Sequence, residues 1–204
     1  MIVEIKPRII NLPPQELYLF EAPADMVVRM QKLADNLEFI PEVKNRAISS
    51  PRQEINPEFK FFVRWVEACL GFVKDDLDLM CDRVEVTQMW MNRATKGYKV
   101  HKHHHPNSMF SAVYYVQDTN GTRFFQESLW SKDFGLLSPM KHPNQGIEHV
   151  YEHSAKAGQL LVFPSQMQHD SAEQTHEGYR YTMALNAFPK GVIGDYNKLS
   201  GMEL

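Results

Sequence analysis

The sequence predicts a mainly β fold, a jelly-roll sandwich or barrel with two N-terminal helices packed on it. Three observations carry that prediction. Apolar residues in the first eighty positions recur at three- and four-residue intervals, the period of a helix. From Arg83 onward they alternate, or run in short blocks between turn residues. Seven or so such blocks follow one another, and antiparallel strands with long excursions close most readily into two facing sheets.

The run ADMVVRMQKLADNLEF, after Pro23, sets Met26, Val27, Met30, Leu33, Ala34 and Leu37 on one stripe. That is an amphipathic helix without a strong N-terminal cap. A second helix starts after Asn56-Pro57, a cap followed by proline at the first helical position. It turns Phe59, Phe62, Val63, Val66, Leu70, Val73 and Leu77 inward, with Gly71 a candidate kink. The polar connector from about Pro41 to Ile55 has no periodicity and reads as a loop. From residue 84, VEVTQMWMN alternates Val84, Val86, Gln88, Trp90 and Asn92 against Glu85, Thr87, Met89 and Met91. This is a half-buried strand, ended by the turn Thr95-Lys96-Gly97. MFSAVYYVQ is a compact strand closed by a hairpin-like turn from Asp118 to Gly121. TRFFQES, HVYEHSA, GQLLVFPS and YRYTMALNAFP supply four more extended segments. The stretch from about Trp130 to Gln145 is a long loop, of the kind that serves as a lid in compact domains.

Length and composition bound the class. The 204 residues bury one sizeable core, and the change of texture near Cys81 divides them into a helical segment, 1–80, buttressing a β domain, 81–204. Apolar residues at 43%, aromatics at 11% and charged residues at 23% describe an ordinary globular chain. No apolar run of membrane-spanning length occurs, which excludes a helical membrane anchor within the sequence. The first twenty residues lack the pattern of a signal peptide, so the expectation is a cytoplasmic protein. Cys69 and Cys81, twelve apart, fit no zinc spacing and read as free thiols. A net charge of −3 with no basic run gives no electrostatic footprint for nucleic acid.

The chemistry concentrates in His101-Lys102-His103-His104-His105-Pro106. In an extended segment His101, His103 and His105 share one face while His104 takes the other, and spacing alone does not say which two of the three are ligands. A histidine-rich tract is as readily a solvated loop as a metal site. This one feeds directly into a strand, at the mouth of the expected barrel, and that position favours a metal. His169, after FPSQMQ, completes a three-nitrogen site with open coordination positions, suited to a redox metal that binds oxygen and substrate together. His142, His149, His153 and His176 have no partner at ligand spacing and read as surface residues. Arg180 opens a strand on which Arg180, Thr182, Ala184 and Asn186 share a face. An inward guanidinium among apolar neighbours requires an anion, and its planar fork suits a carboxylate to which the Thr182 hydroxyl adds a hydrogen bond.

These residues resemble the Fe(II)- and 2-oxoglutarate-dependent oxygenases, in particular a family found in bacteria and phages. The resemblance rests on His103-His104-His105-Pro106 running into Ser111-Ala112-Val113-Tyr114-Tyr115, on Gly158 to Ser165 followed by His169, and on the strand from Arg180 to Asn186. It spans about residues 84 to 188 and implies a double-stranded β-helix, cupin-like, with Fe(II) as metal and 2-oxoglutarate and molecular oxygen as cosubstrates. It implies His103 and His105 in place of the family's His-x-Asp/Glu pair and His169 as the distal histidine. Arg180 with Thr182 would hold the far carboxylate of 2-oxoglutarate, with Asn92, Tyr115 and Asn186 lining the cosubstrate pocket. The implied outcome is hydroxylation of an unknown substrate, with decarboxylation of 2-oxoglutarate to succinate. The chain departs from the wider pattern at His105, where a carboxylate is usual. Two rival readings follow: a cupin-type three-histidine dioxygenase that does not use 2-oxoglutarate, and a non-catalytic jelly-roll binding module.

Overall fold

A computed structural model describes residues 16–37, 39, 57–126, 149–198 and 200–204. The expected loops at 41–55 and 130–145, the Asn56 cap and His142 lie outside the described residues. Two antiparallel sheets form the body. Strands β1 (Tyr18–Glu21), β2 (Cys81–Ala94), β3 (Phe110–Tyr115), β4 (Thr119–Gln126), β5 (His149–Ala155), β6 (Gln159–Pro164), β7 (Gln168–Ser171), β8 (Arg180–Ile193) and β9 (Met202–Glu203) follow in chain order. The major sheet runs β1-β6-β3-β8-β2 with β9 added to β8, and the minor sheet runs β5-β4-β7. This is the expected mainly β, double-stranded β-helix.

Two helices cover the outer face of the major sheet. Helix α1 (Ala24–Asn36) buries Met30 and Ala34, and α2 (Lys60–Asp76) buries Phe62, Val63, Val66, Cys69, Leu70 and Val73. Pro57 starts a short 3-10 turn ahead of α2 and does not occupy its first position. Gly71 leaves α2 uninterrupted. Leu77, expected inward, caps the helix and is 41% exposed, because the helix ends before another turn could carry it back to the sheet. α1 stops at Asn36, short of Phe39, where Leu37 turns to extended backbone.

The period of two decides which side chains meet the helices. On β3, Phe110, Ala112 and Tyr114 join the helix-side core, as do Leu160 and Val162 of β6 and Met183, Leu185 and Ala187 of β8. Tyr115, Leu161 and Phe163 point the other way and pack on Phe124 and Ala155 of the minor sheet. β6 is thus buried on both faces, which is why GQLLVFPS is a continuous apolar run. Burying a leucine or phenylalanine here contributes on the order of 2 kcal/mol each.

Four expectations need correction. Val84 and Val86 lie on the helix side together with Met89 and Met91, not opposite them. A β-bulge causes this: the register to β8 shifts between Val86 and Gln88, so Thr87 is extra and the alternation reverses there. The turn after β3 is not a hairpin, because β3 pairs β6 and β8 while β4 pairs β5 and β7, so residues 116–118 cross between sheets. Tyr18–Glu21 forms an edge strand on β6 that the helical texture of the first eighty residues conceals. Gln168–Ser171, too short to show a period of its own, is β7. Gly158 joins these parts: at φ +87 it donates to the Tyr115 carbonyl and accepts from Ala22, and a Cβ there would meet Val27 at 2.6 Å.

Candidate metal centre and cosubstrate pocket

Between the sheets opens a cavity of about 750 Å³ including its mouth, walled by β2, β3, β4, β7, β8 and the segment from Tyr98 to His105. Three imidazoles meet in it. His103 and His169 face each other on an isolated antiparallel bridge, each donating its backbone N–H to the other's carbonyl at 2.9 Å. His105 is fixed two residues on, its N–H donating to the Ser165 carbonyl at 2.9 Å. The candidate ligand nitrogens of all three lie within 4.8 Å of one another, and Nε2 of His105 stands 3.3 Å from Nε2 of His169. Among the described residues no other group of His, Cys, Asp and Glu converges in this way.

Hydrogen bonds fix the tautomers. Nδ1 of His103 lies 2.7 Å from the His101 carbonyl and Nδ1 of His169 lies 2.9 Å from the Met167 carbonyl. A carbonyl only accepts, so each Nδ1 carries the proton and each Nε2 lone pair is free for a metal. Burial, with the neighbouring imidazoles adding to it, pushes His105 down to about 4. Burial pushes His169 down to about 3. Both are therefore neutral near pH 7, the form that ligates. The rings are also held from behind. Phe163 meets His169 edge-on at 4.7 Å between centroids, Phe124 lies at 6.2 Å, and Trp90 of β2 lies 5.7 Å from His105.

The donor set fits a divalent transition metal, since three imidazoles on one side leave the other side open. Among the described residues no carboxylate completes the set. Asp170, next to His169, is buried and lines the cavity, but Arg123 on the paired strand grips it through Nε at 2.8 Å and Nη2 at 2.6 Å.

Arg180 lies across the same cavity, 4% exposed. Its Nη1 donates to the Ala172 carbonyl at 2.7 Å and its Nη2 to Ser171 Oγ at 3.0 Å, while Nη1 also reaches the Asn120 carbonyl at 3.5 Å. Among the described residues no carboxylate pairs with it. Burial pushes its pKa down, as expected of a buried cation without an anion. Among the described residues this buried guanidinium is held only by neutral acceptors, an arrangement that suits an anion.

Most sequence candidates converge here. His103, His105, His169, Arg180, Thr182, Asn92 and Tyr115 line one cavity. The Tyr115 hydroxyl is 2.7 Å from Thr122 Oγ1, and burial raises its pKa to about 12, so it stays protonated. Asn186 departs from expectation. Its amide is committed to Ser111 Oγ at 3.0 Å and Gln88 at 3.1 Å, and it sits behind the cavity wall. His101 and His104 are exposed, and of the three same-face histidines it is His103 and His105 that converge with His169. His153 is not a surface residue. It is buried, 3.0 Å from the Gln159 side chain. His176 is exposed as expected. The sequence reading missed Trp90 and Ser171 as cavity residues. Ser171 follows His169 by two, so recognising QHDS as a strand would have set both on one face.

Residues 88–186 match the family model described as "Putative 2OG-Fe(II) oxygenase". No curated protein sequence matches the chain. Among solved structures, a 2OG-Fe(II) oxygenase family oxidoreductase from Burkholderia pseudomallei superposes with a TM-score of 0.60 at 15% identity, covering 84% of this chain and 83% of that one. HygX from Streptomyces hygroscopicus, with nickel, 2-oxoglutarate and hygromycin B bound, gives 0.62 at 14% identity over 86% and 83%. A Pseudomonas putida prolyl-4-hydroxylase gives 0.59 at 16% identity over 87% and 94%. At these identities the likeness is one of fold.

Proposed function

We propose that the chain is a 2OG-Fe(II) oxygenase, the family whose model matches residues 88–186, in which His103, His105 and His169 hold Fe(II) while Arg180 holds the far carboxylate of 2-oxoglutarate. The observation that carries this reading is the buried Arg180, with no anionic partner among the described residues, in the same cavity as three converging imidazoles. HygX structures with iron bound, and with nickel and 2-oxoglutarate bound, support the same metal and cosubstrate. With both bound, the centre supplies oxygen activation for C–H hydroxylation, with 2-oxoglutarate converted to succinate and carbon dioxide.

The protein's own part is positioning. His103 and His169 are locked to each other through backbone, and their Nδ1–H bonds to carbonyls orient both rings before any metal arrives. Three neutral ligands bring no negative charge to a divalent metal, so the carboxylate of the keto-acid end would be the anion that reaches it, while the far carboxylate pairs with Arg180. Arg180 sets its direction: a carboxylate on the guanidinium fixes the far end, and the keto-acid end is delivered to the imidazoles. Tyr115 and Thr122, bonded to each other, form a polar wall, and Phe163 and Phe124 keep water from the back of His169. Asn92 and Thr182 line the same space and are further contacts for the cosubstrate.

The test is uncoupled turnover. Purified protein with Fe(II), 2-oxoglutarate and oxygen is expected to form succinate slowly without any prime substrate, and His169→Ala and Arg180→Ala to form none. One observation favours a second reading, the imidazole at position 105: iron binding with no succinate would indicate a three-histidine oxygenase that does not use 2-oxoglutarate.

A further inference from the structure

We propose that Ser165 is the positioning residue for His105, holding the turn from His105 to Met109 with its carbonyl, its N–H and its hydroxyl at once. This rests on the metal reading above and adds to it a residue that touches no metal. His103 and His169 are locked together by the bridge between their own backbones, and His105 lies outside that bridge. What holds it is the end of β6. The Ser165 carbonyl accepts the His105 N–H at 2.9 Å, the Ser165 N–H donates to the Met109 carbonyl at 3.0 Å, and the Ser165 hydroxyl meets Ser108 Oγ at 2.8 Å. Within the turn, Pro106 has no N–H to give, and Asn107 takes the chain through the left-handed region at φ +57, a conformation that tertiary contacts must hold.

The direction of the hydroxyl bond follows from the protons available. Ser108 Oγ lies 2.8 Å from the Phe110 carbonyl and 3.2 Å from the Ala187 carbonyl. Carbonyls only accept, so the Ser108 proton goes to them and Ser165 must donate to Ser108. Ser111 Oγ, 2.9 Å from Ser165 Oγ, must then donate to Ser165. The Ser111 oxygen is left to accept from the Asn186 side-chain amide at 3.0 Å, which only its NH2 can supply, and the Asn186 oxygen accepts from the Gln88 amide at 3.1 Å. The bonds therefore run one way, from exposed Gln88 through Asn186, Ser111 and Ser165 to Ser108 and the backbone of β3 and β8. Asn186, Ser111, Ser165 and Ser108 are all buried, where each link polarises the next. Ser165 is the point at which this chain meets the turn that carries His105. Removing its hydroxyl breaks the chain in the middle and takes away the acceptor of the Ser111 proton.

The experiment is titration of the metal-free protein with Co(II), read by the visible ligand-field bands of the ion. Ser165→Ala is expected to weaken Co(II) about tenfold to a hundredfold, the size of effect that losing an outer partner of a ligand has, and to shift the bands. In a His105→Ala background the same substitution is expected to cause no further loss of the residual binding, because its effect passes through His105. Ser108→Ala, which removes the hydroxyl bond from the other side, is expected to reproduce both results and carries the test if Ser165→Ala does not fold. Co(II) affinity and bands equal to wild type overturn the proposal. A loss of the same size in the His105→Ala background overturns it too, since Ser165 then supports the barrel as a whole and not one ligand. A wild-type protein that binds no Co(II) removes the metal reading itself, a result distinct from the others.

Discussion

The two faces of the major sheet are built from the same strands and have opposite character. Toward α1 and α2, β3, β6, β8 and β2 present Tyr114, Leu160, Val162, Met183, Leu185, Met89 and Met91, and the single buried side-chain polar atom without a partner among the described residues is the Tyr114 hydroxyl. Toward the minor sheet the same strands present Trp90, Asn92, Ser111, Tyr115, Arg180 and Thr182. Polar groups there are bonded, yet three imidazoles converge at one point and, among the described residues, one buried guanidinium has no carboxylate. A folded protein ordinarily satisfies such groups, so the difference separates the face that holds the molecule together from the face that does chemistry.

That separation can be broken by experiment. The largest expected effect is at His169. His169→Ala should lower Fe(II) affinity by more than the roughly 100-fold that losing an outer partner of a ligand costs, with the metal-free melting temperature unchanged. Metal content equal to wild type would remove His169 from the ligand set. On the other face, Phe62→Ala should cost about 3–5 kcal/mol in denaturant unfolding, because Phe62 is fully buried against Tyr114 and Trp65. Metal and cosubstrate affinities of the folded variant should stay at wild-type values, and a parallel loss would show that the faces are coupled. Arg180→Ala should weaken 2-oxoglutarate about a hundredfold or more while leaving metal-free stability unchanged or higher, since it removes a buried charge that has no carboxylate partner among the described residues. A clear drop in stability would make Arg180 structural. The smallest effect belongs to Tyr114→Phe, expected within about 1 kcal/mol and on the stabilising side, because its hydroxyl is buried with nothing to bond. A large loss there would reveal a partner for that hydroxyl.

Much of this was legible beforehand, for a physical reason. The His103-x-His105 clip and the Arg180 face depend only on alternation within one extended segment, and the strands from β3 onward carry β-branched and aromatic runs bounded by turn residues. What failed depends on pairing between distant segments. The bulge at Thr87 is one inserted residue, invisible in the composition of VEVTQMWMN, and it moves Val84 and Val86 to the other face. Which sheet receives the chain after Val116 is a matter of topology, not of local turn chemistry. Tyr18–Glu21 is too short to show a period, and its strand state comes from β6. Ser171 drew no notice because Gln168–Ser171 is too short to show the strand that sets it on one face with His169.

The central claim is that one cavity holds a metal on three imidazoles and a carboxylate on Arg180. Anaerobic titration of the metal-free protein with Fe(II) and then 2-oxoglutarate, followed by visible absorption, tests it most directly. A saturable charge-transfer band of the chelated keto acid that appears in the wild type and is lost in Arg180→Ala is the result expected. Iron binding with no band in the wild type, or a band that Arg180→Ala leaves intact, would contradict it.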